Sequence, residues 1–329
     1  MTDEHLELGE FGFAGDDAVV PFEVSGLDAR GRAVQLGGLV ENILARHAYP
    51  EPVSRLLAEM IALTVLLGTS LKFNGKFISQ TRTDGPVDLL VVDFTTPSGV
   101  RAYARYDEDR LAAAQASGAI SPEELLGRGS LALTVDQGEN TQRYQGIVEL
   151  SGATLEEVAE SYFRQSEQIP TTVRLTVARI ARRAEGGGFA ESWRAGGLMV
   201  QFLPQSPERM RMPDLPGGDA PDDAEVPEFE TDDAWTEVQA LVETVEDAEL
   251  VDPDVGVERL LFRLFHERGV RVFPPTPVVD QCSCSRERIG EVLAGFTEEE
   301  LKESTEDGVI EVTCEFCSES YTFKPEEFE

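Results

Sequence analysis

The side chains best suited to chemistry in this 329-residue chain are its four cysteines, and they fall in two tight pairs. Cys282-Ser-Cys284 is followed by twenty-nine residues and then by Cys314-Glu-Phe-Cys317, and cysteine occurs nowhere else. Two thiolate pairs separated by a loop of this size match the ligand pattern of a tetrahedral four-cysteine zinc site, in which four sulfurs at about 2.3 Å satisfy a borderline-soft d10 ion. Zn2+ is the expected cofactor, with Cys282, Cys284, Cys314 and Cys317 as its ligands; disulfides or free thiols are the plain alternatives. Other chemistry is not indicated. His5, His47 and His266 are the only histidines, and none has a nucleophile or cysteine partner in sequence. The Glu185-Gly-Gly-Gly188 run lacks the following Lys and Ser/Thr of a phosphate cradle, so it reads as a loop. An enzyme is not expected.

The first pair has one residue between its ligands, whereas ordinary zinc ribbons use Cys-x-x-Cys at both ends. Cys-x-Cys, then Cys-x-x-Cys about thirty residues later near the C-terminus, resembles the heat shock protein 33 family of redox-regulated holdase chaperones. The flanks are similar too, in Cys284-Ser-Arg-Glu-Arg288 and in Cys314-Glu-Phe-Cys317 followed by Tyr321 and Phe323. Upstream, Thr69-Ser-Leu-Lys-Phe-Asn-Gly75 with Asp84-Gly-Pro86, Arg143-Tyr-Gln-Gly146, and Tyr162-Phe-Arg-Gln-Ser-Glu-Gln168 before Pro170 look like the family's core signatures. The resemblance implies an inactive form that is reduced and zinc-bound. It further implies disulfides Cys282–Cys284 and Cys314–Cys317 on oxidation, unfolding of the tail with the segment before it, and ATP-independent binding of unfolding proteins by a homodimer.

A net charge of −34 argues against a nucleic-acid partner, because phosphate binding rests on clustered Lys and Arg. Met1-Thr-Asp-Glu-His-Leu-Glu has neither basic nor apolar signal-peptide regions, and the longest apolar run, Met60 to Leu67, is too short to cross a bilayer. A reducing cytosol is the expected compartment, where paired cysteines more often hold metal than form lasting disulfides.

These cysteines need a scaffold, and the pattern predicts an α+β chain. Residues 1–205 read as a mixed core domain. Leu39 to His47 and Val53 to Leu67 carry apolar residues at helical spacing, with Pro52 where a helix start tolerates it. Strand-like runs follow at Lys76 to Thr81, Val87 to Phe94 and Val100 to Tyr106, divided by turn signals, and Leu131 to Val135 and Tyr144 to Leu150 extend this antiparallel meander. Thr154 with Glu157 predicts a capped helix, and Val173 to Ala178 and Gly197 to Leu203 predict further strands.

Residues 206–280 read as an acidic, helical linker. Ser206 to Ala234 is rich in Pro, Gly, Asp and Glu and too poor in apolar side chains to offset ordering entropy. Two amphipathic helices then carry apolar faces of Trp235, Val238, Leu241, Val242 and Val245, and of Val257, Leu260, Leu261, Leu264 and Phe265. The linker has twenty Asp and Glu against six Arg. Repulsion between these charges is expected to leave docking marginal, so neutralising Glu243, Glu246 and Glu249 is expected to tighten it. Residues 281–329 form the zinc module, close to the size at which a core alone fails to fold a domain. Metal then supplies most of its stability, and oxidation of one pair removes two ligands. A constitutive zinc-ribbon module recruiting a protein partner is the competing function. A thiol oxidoreductase using Cys314-Glu-Phe-Cys317 is the third, weakened by that motif's place at the chain end.

Overall fold

The computed structural model describes residues 13–138, 143–183, 187–203 and 232–328. The chain begins with strands β1 (Ala18–Val24) and β2 (Ala29–Leu36), helices α1 (Gly38–His47) and α2 (Glu51–Ser70), and strands β3 (Lys76–Thr83), β4 (Val87–Thr95) and β5 (Gly99–Tyr106). Helices α3 (Glu108–Ser117) and α4 (Pro122–Leu126) precede β6 (Arg128–Asp136) and β7 (Tyr144–Ser151), then α5 (Leu155–Tyr162), β8 (Thr171–Arg183) and β9 (Phe189–Phe202). The next described stretch holds α6 (Asp233–Glu243), α7 (Asp247–Val251), α8 (Val257–Phe265) and the short strands β10 (Val270–Val272), β11 (Thr276–Pro277) and β12 (Val279–Asp280). The tail contributes α9 (Arg286–Leu293), α10 (Glu298–Glu303), β13 (Ile310–Thr313) and β14 (Ser320–Phe323). His5, Glu185 and almost all of Ser206 to Ala234 lie outside the described residues.

The fold is α+β, as the sequence pattern predicts. One sheet runs β10-β1-β2-β9-β8 with β11 also on β1, and the other runs β12-β5-β4-β3-β6-β7. The meander is present as β3, β4 and β5, with β6 joining at β3 and β7 at β6. The helix after Thr154 starts with the reciprocal Thr154 and Glu157 capping bonds. Between the sheets lies α2, whose Leu56, Leu57, Met60, Ile61, Leu63 and Leu66 are fully buried. By length and composition α2 could cross a membrane, but 78% of its apolar window is buried in this core. The β1–β2 pair has no clear sequence signal: Pro21 interrupts one strand, and Arg30-Gly-Arg32 spoils alternation in the other.

A second apolar cluster covers the outer face of the first sheet. Val20, Phe22, Val24, Leu198 and Val200 meet Trp235, Val238, Val242, Val245, Leu260, Leu261, Leu264 and Phe265, with Leu241 partly buried at the margin. The two predicted apolar faces therefore pack on the sheet. Their seat is shaped by the core. Gly196 on β9 has no Cβ, and one added there would lie 2.2 Å from the Leu250 carbonyl oxygen. The last turn of α7 leaves carbonyls without helical partners. Gln35 Nε2 donates to Asp252 O at 3.1 Å, and Arg194 Nε donates to Val251 O at 2.6 Å while its other nitrogens hold Asp16.

Several acidic groups in this layer are paired with arginine, which changes the expectation of mutual repulsion. Glu237 meets Arg268 at 2.6 Å, Asp247 meets Arg174 at 3.6 Å, Asp254 meets Arg182 at 3.6 Å, and Glu249 meets Arg263 at 2.6 Å. Glu249 also accepts the Glu246 N–H at 3.0 Å. Glu249→Gln is therefore expected to loosen docking, by about 0.2–1 kcal/mol because the pair is partly solvated. Hydrogen exchange across α6 to α8 should quicken; stronger protection would restore the repulsion reading.

Candidate metal centre

Each cysteine pair is delivered by local structure of a few residues. Val279 and Asp280 run parallel to Gly99 and Val100 of β5, and the Gln281 N–H donates to Val100 O at 2.8 Å. Asp280 is also ion-paired with Arg46 of α1. Cys282 thus leaves the edge of the second sheet from a fixed point. Ser285 then caps α9 by accepting the Arg288 N–H, and Arg288 Nη1 donates to Ser283 O at 2.6 Å. The second pair sits on the turn joining β13 and β14, where Cys314 N–H donates to Glu319 O at 2.9 Å and Ser318 N–H to Cys314 O at 2.8 Å.

All four cysteine sulfurs lie within 4.8 Å of one another. Cys282 Sγ is 3.8 Å from Cys314 Sγ, and Cys284 Sγ is 3.2 Å from Cys317 Sγ. Four sulfurs at about 2.3 Å from one ion are separated by about 3.8 Å in a regular tetrahedron. The donor set and spacing therefore fit one soft, tetrahedral ion. The close approaches join the two pairs, so the fold brings together thiols 32 and 33 residues apart in sequence.

The surroundings differ from sulfur to sulfur. Burial opposes the Cys282 thiolate, but the Cys284 N–H, the neighbouring thiols and the Arg101 guanidinium outweigh it and bring that thiol down to about 7. Cys284 and Cys317 are pushed up, first by burial. Tyr321 Oη lies 3.3 Å from Cys284 Sγ, and this contact holds the phenol above its ordinary range. Tyr321 and Phe323 were legible as residues flanking the motif; Arg101, from β5, carried no such signal. His47 lies at the seam, with Nε2 3.2 Å from the Phe316 carbonyl oxygen, while His266 lies in the turn just after α8, beside Phe262.

Fold and site together define a protein in which a small four-cysteine module rests on a larger α+β body. A family profile described as Hsp33 protein matches residues 17–324. The 33 kDa chaperonin of Caulobacter vibrioides is 45% identical over 328 residues, covering 99% of each chain. That of Pseudomonas putida is 39% identical over 298 residues, covering 90% of this chain and 87% of its own. The crystal structure of the heat shock protein 33 homologue from Thermotoga maritima superposes with a TM-score of 0.67 at 19% identity, over 95% of this chain and 96% of its own, and it supports the fold alone. This chain belongs to the Hsp33 family, and its relatives bear the name of chaperonins.

Proposed function

We propose that this protein is a redox-regulated, ATP-independent holdase of the bacterial cytoplasm. Zn2+ would be held by Cys282, Cys284, Cys314 and Cys317 in the reduced, inactive form. The observation that carries the proposal is the four-thiol cluster, built from a weakly cored tail that follows in sequence a set of apolar helices docked on a sheet. Core 1–205, linker 206–280 and zinc module 281–329 act as the three working units of this reading.

On oxidation, disulfides form within Cys282–Cys284 and within Cys314–Cys317. Each takes two thiolates and passes two electrons to an oxidant such as hydrogen peroxide, which takes up two protons from solvent and leaves as two waters. Each pair is close in sequence, so either bond closes without the tail's fold. The crossing contacts between Cys282 and Cys314, and between Cys284 and Cys317, are then no longer held by a shared ion. Metal supplies soft electrophilic charge that keeps the thiolates together; the chain's own part is to deliver the pairs and to couple them to the helical layer. Undocking of that layer bares Trp235, Leu260 and Phe265 on one side and Phe22, Leu198 and Val200 on the other. Both surfaces are apolar enough to take up exposed segments of unfolding proteins, and a homodimer is the proposed active form.

Reduced, zinc-loaded protein should suppress aggregation of a thermally unfolding client poorly, and protein treated with peroxide at raised temperature should suppress it well without nucleotide. Equal suppression in both states would favour a constitutive recruitment module instead.

A further inference from the structure

The cysteine cluster does not rest on the tail alone. Arg101, on β5, reaches it from the core with two edges and one face of its guanidinium in use. Nε donates to Asp93 Oδ2 at 2.7 Å, and Asp93 is only 2% exposed. Nη1 lies 4.0 Å from Cys282 Sγ, and the guanidinium carbon sits 4.0 Å over the centroid of the Phe316 ring. Phe316 is one of the two residues between Cys314 and Cys317. One core side chain therefore touches the first cysteine pair through its sulfur and the second through its loop.

The arrangement is specific to arginine. A planar guanidinium can pair with a carboxylate along one edge, present another N–H to sulfur and stack its face on an aromatic ring, whereas an ammonium can do these only as a point charge. Four thiolates exceed a divalent ion by two negative charges, so a cation donating to one of the sulfurs favours the ionised set. Tyr103, two residues along the same strand, places its ring 6.2 Å from Phe316. The loop is thereby gripped from two positions on one strand.

We infer that Arg101 is a positioning residue of the metal centre and that the Arg101–Phe316 stack is the latch holding the tail to the core. This rests on reading the four cysteines as a metal site. The ion shapes the Cys314-Glu-Phe-Cys317 loop so that Phe316 fits the clamp, and the clamp orients Cys282 for the ion. Metal binding and docking then reinforce each other by the same factor in both directions. When a disulfide reshapes the loop, Phe316 leaves Arg101, and the tail is released from β5 together with β12 beside it.

The test uses the full reduced chain with two variants. Phe316→Ala removes the stack and changes no ligand and no core residue. Arg101→Gln with Asp93→Asn removes the clamp without leaving a buried carboxylate unpaired. In competition with a chromogenic chelator, both are expected to lose zinc affinity by about 10- to 100-fold, the range for partners that orient metal ligands. Exchange protection should also fall across residues 99–106 and 279–285. Joining all three substitutions should add little, because stack and clamp are one contact. Wild-type zinc affinity in both variants, or wild-type exchange in both, overturns the inference. A wild-type chain that binds no zinc would instead overturn the metal reading beneath it.

Discussion

Cys314→Ser should remove the zinc and unfold residues 281–329 while leaving the two large sheets intact. The tail's buried apolar residues among those described are Leu293, Leu301, Ile310 and Phe323, a core far too small to order nearly fifty residues unaided. Binding of a structural zinc by small peptides is worth about 10–16 kcal/mol, and losing one of four thiolates forfeits a large part of that. Metal analysis should fall well below one ion per chain. Backbone exchange in β13 and β14 should approach that of an unfolded peptide, with β3 to β6 unchanged. A tail that stays protected without metal would sink the idea that the ion folds it. Because the latch at Phe316 is lost too, this variant is expected to suppress client aggregation without any oxidant.

Phe265→Ala should undock the helical layer while the cysteines stay reduced. Phe265 is 0% exposed, and its ring stacks on Phe22 of β1 with centroids 5.8 Å apart. Emptying such a site typically removes about 3–5 kcal/mol. That is comparable with the stability of a layer that opens before the whole protein unfolds. Exchange across α6 to α8 should rise by orders of magnitude, and reduced, zinc-loaded protein should hold a thermally unfolding client. Gly196→Ala provides an independent route to the same state, since all three of the nearest atoms its Cβ would meet belong to Leu250. If both variants undock the helices and neither binds clients, the apolar surfaces of this layer are not the client site.

The sequence by itself determined the four-cysteine grouping, the core helix and the apolar faces of the linker. Four cysteines in two tight pairs, with no others in the chain, stand out at once, and helical or alternating spacing reports burial because it needs nothing beyond the local chain. The capped start of α5 was legible for the same reason: Thr154 and Glu157 satisfy each other within one turn. What those surfaces pack against was not legible. Only the tertiary structure decided that Trp235 and Phe265 cover the sheet of Phe22 and Val200, that β10 and β12 extend two different sheets, and that Gly196, Gln35 and Arg194 shape the seat of α7. It also decided the electrostatics. Acidic residues that repel in a linear count are paired with Arg174, Arg182, Arg263 and Arg268, and Arg101 reaches Cys282 across 181 residues. Charge interactions depend on distance in space, and a chain carries no record of that distance until two sheets and a cysteine-bearing turn bring distant segments together.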